Sequence, residues 1–232
     1  MTQKTRIAMI SALAQSPPPA MAAMAEVWPA AQVHNVIDDS LAADLAMLGL
    51  ITPGIYQRFM TLGRYAAATG DELNPTRGIL FTCSAFRPAI NRVKAALPIP
   101  VLSPNEAAFE EALACTKAKG ANGRVGLLLS FAGSLAPLTA ELAEIATELG
   151  LPCPAIVSEV ADGALDALQN GAPERHDALI AAAAMRLPPV DVVVIGQFSM
   201  ARAAPLVRDA RREPVLTTPH MAAAKLKRLI AG

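Results

Sequence analysis

The residues in this chain best suited to chemistry are one thiol, one histidine and a set of hydroxyls and amides that follow short apolar runs. The thiol is Cys83, within Thr76–Ala89, TRGILFTCSAFRPA. Ile79, Leu80 and Phe81 form an apolar run after Gly78, the small polar triplet Thr82-Cys83-Ser84 follows at once, and Arg87-Pro88 opens a helix. In an open α/β sheet a buried parallel strand ends in this way at a binding crevice. A thiol there lies near the N-terminus of the next helix, where backbone N–H groups and the helix dipole favour thiolate. A free cysteine is often only a small buried hydrophobe; the polar neighbours and strand-end position weigh for chemistry at Cys83. Cys115, inside an amphipathic helix, and Cys153, between prolines, read as structural. Three cysteines far apart suggest neither a disulfide framework nor a zinc pair.

The hydroxyls and amides recur at equivalent places: Thr82, Ser84, Ser130, Ser134, Gln197, Ser199, Thr217 and Thr218. Each alone is an ordinary turn or cap residue. Together they sit where successive strand-to-helix turns of an open sheet converge, with Gly133 and Gly196 permitting close backbone approach. Hydroxyls, amides and N–H groups suit a carboxylate or small oxyanion. No GxGxxG or Walker pattern is present, which argues against a dinucleotide or nucleoside triphosphate. His220 falls at the second position of the last helix, where the dipole disfavours imidazolium, so a neutral ring could give or take one proton near pH 7; an exposed first-turn histidine is the alternative. His34 and His176 read as structural or exposed. Asp38 and Asp39 read as caps of the following helix, although Asn35 and Asp38 could reach the crevice from its rim.

These residues need strands and helices in alternation, and the chain supplies them. Arg6 to Ala12, Val33 to Ile37, Ile79 to Phe81, Val125 to Leu129, Ala155 to Ser158, Val190 to Ile195 and Pro214 to Leu216 read as strands. Helices follow each: to Trp28 with Met21 and Met24 as core, Ser40 to Leu48, Pro53 to Gly70 with Ile55, Phe59, Leu62 and Ala66 on one face, Pro88 to Ala96, and Asn105 to Thr116. The clearest carries Leu135, Leu138, Leu142, Ile145 and Leu149 in steps of three and four, with Gly150 as its stop. Ala161 to Gln169, Ala178 to Leu187 and Ala201 to Ala210 complete the set, and Thr218 caps a last helix with Pro219 at its first position. Pro-bracketed Leu97–Leu102 reads as a short strand crossing between lobes. Such β-α repetition makes an α/β fold. Ile79–Ala85 and Val194–Ala201, each a strand, a polar turn and a helix start, hint at internal symmetry.

Composition narrows the function classes. Hydrophobic residues make up 53% and aromatics only 4%, which suits Ala-rich helices packed on sheets and not a disordered chain. Twenty basic residues balance twenty acidic ones with no basic cluster, so a nucleic-acid partner is not expected. No apolar run approaches the ~18–20 residues needed to cross a bilayer. Lys4 and Arg6 before Ile7–Leu13, with Ala12-Leu13-Ala14 after, imitate a leader. The same run reads better as a first strand, and the protein as cytoplasmic.

Phe81-Thr82-Cys83-Ser84-Ala85, Gly196-Gln197-Phe198-Ser199-Met200-Ala201 and Pro214-Val215-Leu216-Thr217-Thr218-Pro219 resemble the aspartate/glutamate racemase superfamily, which includes hydantoin racemases, maleate isomerase and arylmalonate decarboxylase. Asn35–Leu41 and Pro104–Ala107 look like a subgroup of it, so the resemblance covers nearly the whole chain. It implies two pseudo-symmetric α/β lobes, each a mostly parallel sheet flanked by helices, with the active site between them, a small organic acid as substrate, no metal or organic cofactor, and a homo-oligomer. The lobes are expected at 1–99 with 215–232, and at 100–214. Two-base members place one cysteine from each lobe at the substrate α-carbon. Cys83 matches the first; Gly196-Gln197-Phe198-Ser199 stands where the second has Gly-Cys-Thr, so this chain looks like a one-cysteine member, the mirror case of arylmalonate decarboxylase.

The resemblance therefore implies a cofactor-independent racemase or isomerase acting at an activated α-carbon through Cys83 thiolate. Thr82, Ser84, Ser199 and Thr217 would hold the carboxylate, with Asn35, Ser134 and Thr218 as further binding residues, and His220 or a water on Gln197 would replace the second acid. The alternatives are decarboxylation of a malonate-like acid, with Cys83 as proton donor and Phe131 and Phe198 lining an apolar pocket, or a small-acid binding protein without turnover.

Overall fold

The computed structural model describes residues 4–14 and 16–232. The chain divides into two compact units. One runs to Pro104 and is rejoined by Ala222–Gly232; the other is Asn105–Met221.

The first unit is built on β1 (Thr5–Ser11), β2 (Ala31–Ile37), β3 (Gly78–Phe81) and β4 (Val101–Leu102), in the order β2-β1-β3-β4 with every pairing parallel. Its helices are α1 (Pro17–Val27), α2 (Ser40–Leu48), α3 (Pro53–Ala67) and α4 (Arg87–Ala96). Side chains of a strand alternate between faces, and Ala8, Ile10, Ile79, Phe81 and Val101 meet Ile55, Phe59 and Ala66 of α3 and Ile90 and Val93 of α4 in one core. Met24 and Trp28 are buried as expected of the first helix, but Met21 is 40% exposed and belongs to no core.

The second unit repeats the plan. Strands β5 (Arg124–Leu129), β6 (Ala155–Val160), β7 (Val192–Ile195) and β8 (Val215–Thr217) pair in parallel in the order β6-β5-β7-β8. Helices α5 (Glu106–Thr116), α6 (Leu135–Glu148), α7 (Ala164–Gln169), α8 (Pro173–Arg186) and α9 (Ala204–Ala210) flank it. Val192 and Val194 lie with α5 and α6 in one core, while Val193 and Ile195 lie with α8 and α9 in another. Both faces of β7 are covered, which is why its sequence is continuously apolar. Helix α10 (Thr218–Ala231) then returns the chain to the first unit.

The two sheets share one strand order, so the similar stretches around Cys83 and Gln197 fall on equivalent strands, β3 and β7. Several boundaries move from their expected places for local reasons. A 3₁₀ turn precedes the helix after β3 (Ser84–Phe86), β5 (Ala132–Ser134) and β7 (Phe198–Ala203). Helix α7 starts at Ala164 because Gly163, at φ 75°, breaks the chain direction first. Val101–Leu102 pairs with β3, and Val215–Thr217 with β7. No helix among the described residues is long and apolar enough to cross a membrane.

Two glycines mark close approaches. Any side chain at Gly78 would meet Ile230 Cδ1 at 2.7 Å and Leu226 Cδ1 at 3.0 Å, so α10 packs directly on the start of β3. Gly63 of α3 faces Val93 of α4 with no room for a β-carbon. Gly63→Leu should therefore lower stability by about 1–3 kcal/mol through overpacking. Gly54→Ala, whose added carbon stands 3.7 Å from Thr52 Oγ1, should cost nothing. Urea titration of both variants checks the contrast.

Candidate functional site

In the first unit, chemistry collects at the carboxyl end of β1 and β3. Thr82 continues from β3: its N–H donates to Ile10 O at 3.0 Å, and its hydroxyl donates to Ser11 Oγ at 2.8 Å. Both side chains are buried, so Thr82 ties two strand ends together. Cys83 follows in extended conformation (φ −128°, ψ 113°) and leads into the 3₁₀ turn at Ser84. It is half-buried, with its side chain against the core, and Ser84 is also partly exposed.

The turn is held from both ends by aromatic packing. Phe59 of α3 stacks on Phe81 at 5.4 Å between ring centroids, and on Phe86 at 4.8 Å. Offset and tilted ring pairs at these separations are favourable beyond their area. Phe81 and Phe86 bracket Thr82–Ala85, so the position of Cys83 follows from one aromatic cluster.

Burial pushes the Cys83 thiol above its ordinary range, and outweighs the Ala85 N–H bonded to it, which pulls the other way. The expected helix-terminus stabilisation of a thiolate is therefore overturned in the free protein: the 3₁₀ turn separates Cys83 from α4, and loss of water outweighs the nearby N–H. Cys115 is also raised, by burial and by Glu111, and both Cys115 and Cys153 are exposed.

In the second unit the equivalent turn is held by hydrogen bonds. Gln197 Oε1 accepts from Ser130 N–H at 2.7 Å and Ser130 Oγ at 2.8 Å, and Gln197 Nε2 donates to Ser134 Oγ at 3.3 Å. Gln197 thus joins the ends of β5 and β7. Ser199 is partly exposed in the turn that follows, Phe198 is buried, and Phe131 is 56% exposed. Gly133 leaves space that the Phe131 ring fills, since a β-carbon there would stand 2.6 Å from Phe131 Cζ.

Thr217 Oγ1 and His220 Nδ1 lie 2.6 Å apart across the first turn of α10. Thr217 precedes the first helical residue, so the capping position is one residue earlier than expected, and Thr218 is fully buried with its hydroxyl unpartnered. Asn35 stands in mid-strand on β2, donating to Met21 Sδ at 3.1 Å, away from the strand end that carries Asp38.

Three features escaped the sequence reading. Ser11 is a strand-end hydroxyl like the others, and the end of the first apolar run was its signal. Arg58 binds Asp38 at 2.5 Å and also Asp44, beside a cavity of about 540 Å³ lined by Thr52, Gln57 and Leu62. Burial alone would raise Asp38, but hydrogen bonds from Arg58 and Ser40 and the guanidinium charge hold it below the usual carboxylate range. Fully buried His176 meets Asp177 at 2.8 Å, and Asp177 accepts from Arg202 Nε at 2.8 Å, fixing α8 to the turn at Phe198–Ala203. Spacing along the chain carries no sign of either ion cluster. Among the described residues, no group of three or more His, Cys, Asp and Glu is placed to hold a metal ion.

Two stability outcomes test this geometry. Phe59→Ala should cost about 3–5 kcal/mol and raise the iodoacetamide reactivity of Cys83 as the turn loosens. Gln197→Ala leaves the Ser130 N–H without its acceptor and should cost about 1–3 kcal/mol, with Cys83 reactivity unchanged. Denaturant titration and site-resolved mass spectrometry read both.

The family model described as Asp/Glu/Hydantoin racemase matches residues 61–226, more than half of the 232-residue chain. No curated protein matches the sequence. Among solved structures, the chain is similar to a glutamate racemase isoform from Bacillus anthracis (12% identity, 99% of this chain and 82% of that one, TM-score 0.64). It is also similar to allantoin racemase from Klebsiella pneumoniae (16%, 98% and 88%, 0.62) and to arylmalonate decarboxylase (15%, 98% and 93%, 0.61). At these identities the likeness is one of fold.

Proposed function

The chain belongs to the Asp/Glu/Hydantoin racemase family, and from that premise we propose a racemase-, isomerase- or decarboxylase-like enzyme acting at the activated α-carbon of a small carboxylic acid through Cys83. The observation that carries the reading is the strand-end thiol on a turn fixed by Thr82–Ser11 and the Phe59 cluster. A reacting group on a rigid strand end keeps one distance and direction to a bound carbon, which is worth more than an equally reactive group on a loose loop.

The protonation state supports a particular role. A thiol raised by burial keeps its proton at neutral pH in the free enzyme, so it is set to give a proton to carbon. In decarboxylation of a malonate-like acid, the bond to one carboxylate breaks, CO₂ leaves and the electron pair passes into an enediolate. Cys83 then transfers its proton to the α-carbon, and the thiolate recovers a proton from water. N–H groups of the Ser84–Phe86 turn and the Ser84 hydroxyl are suited to spread the enediolate charge.

Racemisation or isomerisation needs the thiolate first and an acid on the opposite face. Gln197, whose amide is bonded at both ends, is no acid. That leaves His220 or a water for the role, and makes one-sided protonation the simpler reading. A binding protein without turnover would use the same hydroxyls and leave the thiol idle.

Proton NMR in D₂O over small dicarboxylates, hydantoins and aryl malonates tests the class. The expected result is deuterium at one α-position of a substrate, with CO₂ release marking decarboxylation. Cys83→Ala should lower that rate by at least about 10²-fold, the lower range for positioned acid–base groups. Retention of the full rate by Cys83→Ala would falsify the assignment, and absence of exchange and of CO₂ across the panel would favour the binding protein. Alkylation of Cys83 by iodoacetamide should be slow at pH 7 and accelerate above the ordinary thiol pKa of about 8.5.

A further inference from the structure

The fold gathers basic residues at the amino end of the first sheet that the linear order keeps apart. Arg6 stands at the start of β1, and the register sets Gln32 opposite it and His34 opposite Ala8 on β2. Side chains of a strand alternate between faces, so Arg6, Gln32 and His34 share the face on which Ala8 and Ile10 meet α3. Arg77 joins them from the other side. Its N–H donates to Arg6 O at 2.9 Å, and Ile7 pairs with Gly78, so one step back the register sets Arg77 beside Arg6. Lys4, two residues before Arg6, is exposed at the same end, as are Gln32 and Arg77.

The chain does not complete the chemistry of this group. Arg6 Nε and His34 Nε2 are both buried without a hydrogen-bond partner. Among the described residues, no carboxylate pairs with Lys4, Arg6 or Arg77. Asp71, in the loop after α3, spends its Oδ1 on the Leu73 and Asn74 N–H groups. That loop instead directs the Arg6 stem: Gly70 stands at φ 97°, and a β-carbon there would lie 3.1 Å from Arg6 Cδ. Burial, and after it the Arg6 charge, lower the His34 pKa, so the ring is neutral near pH 7 and has one N–H to donate. A half-buried guanidinium costs free energy when nothing negative answers it. Its planar fork matches phosphate or carboxylate oxygens in pairs. Three cations at one sheet end exceed the charge of a single carboxylate and suit a phosphoryl dianion.

We propose that the amino end of the first sheet binds the phosphoryl group of a small phosphorylated compound. Arg6 and Arg77 hold its oxygens, His34 and Gln32 serve as neutral donors, and Lys4 stands at the rim. From Arg6 to Ser11 the strand runs about 16 Å, at ~3.3 Å per residue. The site therefore lies at the opposite end of the sheet from the turn that carries Cys83. The inference is independent of the role given to that thiol.

Titration of the full chain with inorganic phosphate, followed by calorimetry and by the ring-proton resonances of its three histidines, tests it. The expected result is saturable binding of one phosphate per chain, with the His34 resonance moving and those of His176 and His220 still. His34→Gln identifies the first of these. The His34 titration midpoint should rise when phosphate is bound, because a neighbouring anion favours imidazolium. Arg6→Gln and Arg77→Gln should each raise the phosphate dissociation constant at least about tenfold, the loss of one charge-assisted contact. Arg77 is exposed, so its variant keeps the test decisive should Arg6→Gln fold poorly. Acetate should bind at least about tenfold more weakly than phosphate. No saturable binding, binding that both arginine variants leave intact, a shift confined to His220, or acetate bound as tightly as phosphate overturns the proposal.

Discussion

The packing of Phe59 against Phe81 and Phe86 is the contact on which the candidate site depends. One ring from α3 holds the last residue of β3 and the last residue of the 3₁₀ turn, and the four residues between them have little freedom left. With aromatics at only 4% of the chain, concentrating three of them here is a heavy use of a scarce resource. The Thr82–Ser11 hydrogen bond adds direction to what the rings supply in area, because it ties the same turn to the neighbouring central strand.

That solution sets the chemistry of the thiol. A turn stabilised by apolar packing is a dry turn, and desolvation disfavours the charged form of a cysteine. The second unit solves the same problem at the matching place in the opposite manner. Gln197 spans Ser130 and Ser134 through its amide, a neutral group that satisfies donors and acceptors without titrating. One topology repeated twice thus ends in a desolvated thiol in one unit and a hydrogen-bonded amide in the other. The asymmetry lies in the turns and not in the sheets.

Charge is arranged to keep the scaffold, not to add reactivity. Arg58 holds Asp38 and Asp44 at the end of β2, and Arg202 holds Asp177 beside buried His176. Each cluster joins a helix to a loop or turn that follows a strand end, so the segments most able to shift are the ones cross-linked by ions.

Much of this was legible along the chain. Apolar alternation and continuous runs place β1, β3, β5 and β7, the steps of three and four place α6, and Gly150 stops it at φ 63°, because these signals act between residues a few positions apart. Cys83 and Gln197 at equivalent turns were readable for the same reason: the strand, the polar turn and the helix start are contiguous. What the linear pattern could not decide was every property set by distant neighbours. The burial that raises the Cys83 thiol comes from a core built of α3, α4 and three strands. Ser11 and Thr82 are 71 positions apart, and Gln197 meets Ser130 across 67. Residue types and spacing determined where a thiol and its hydroxyls would stand. Only the tertiary structure decided which of them are desolvated and which are already bonded, because burial and hydrogen-bond pairing depend on what is near in space.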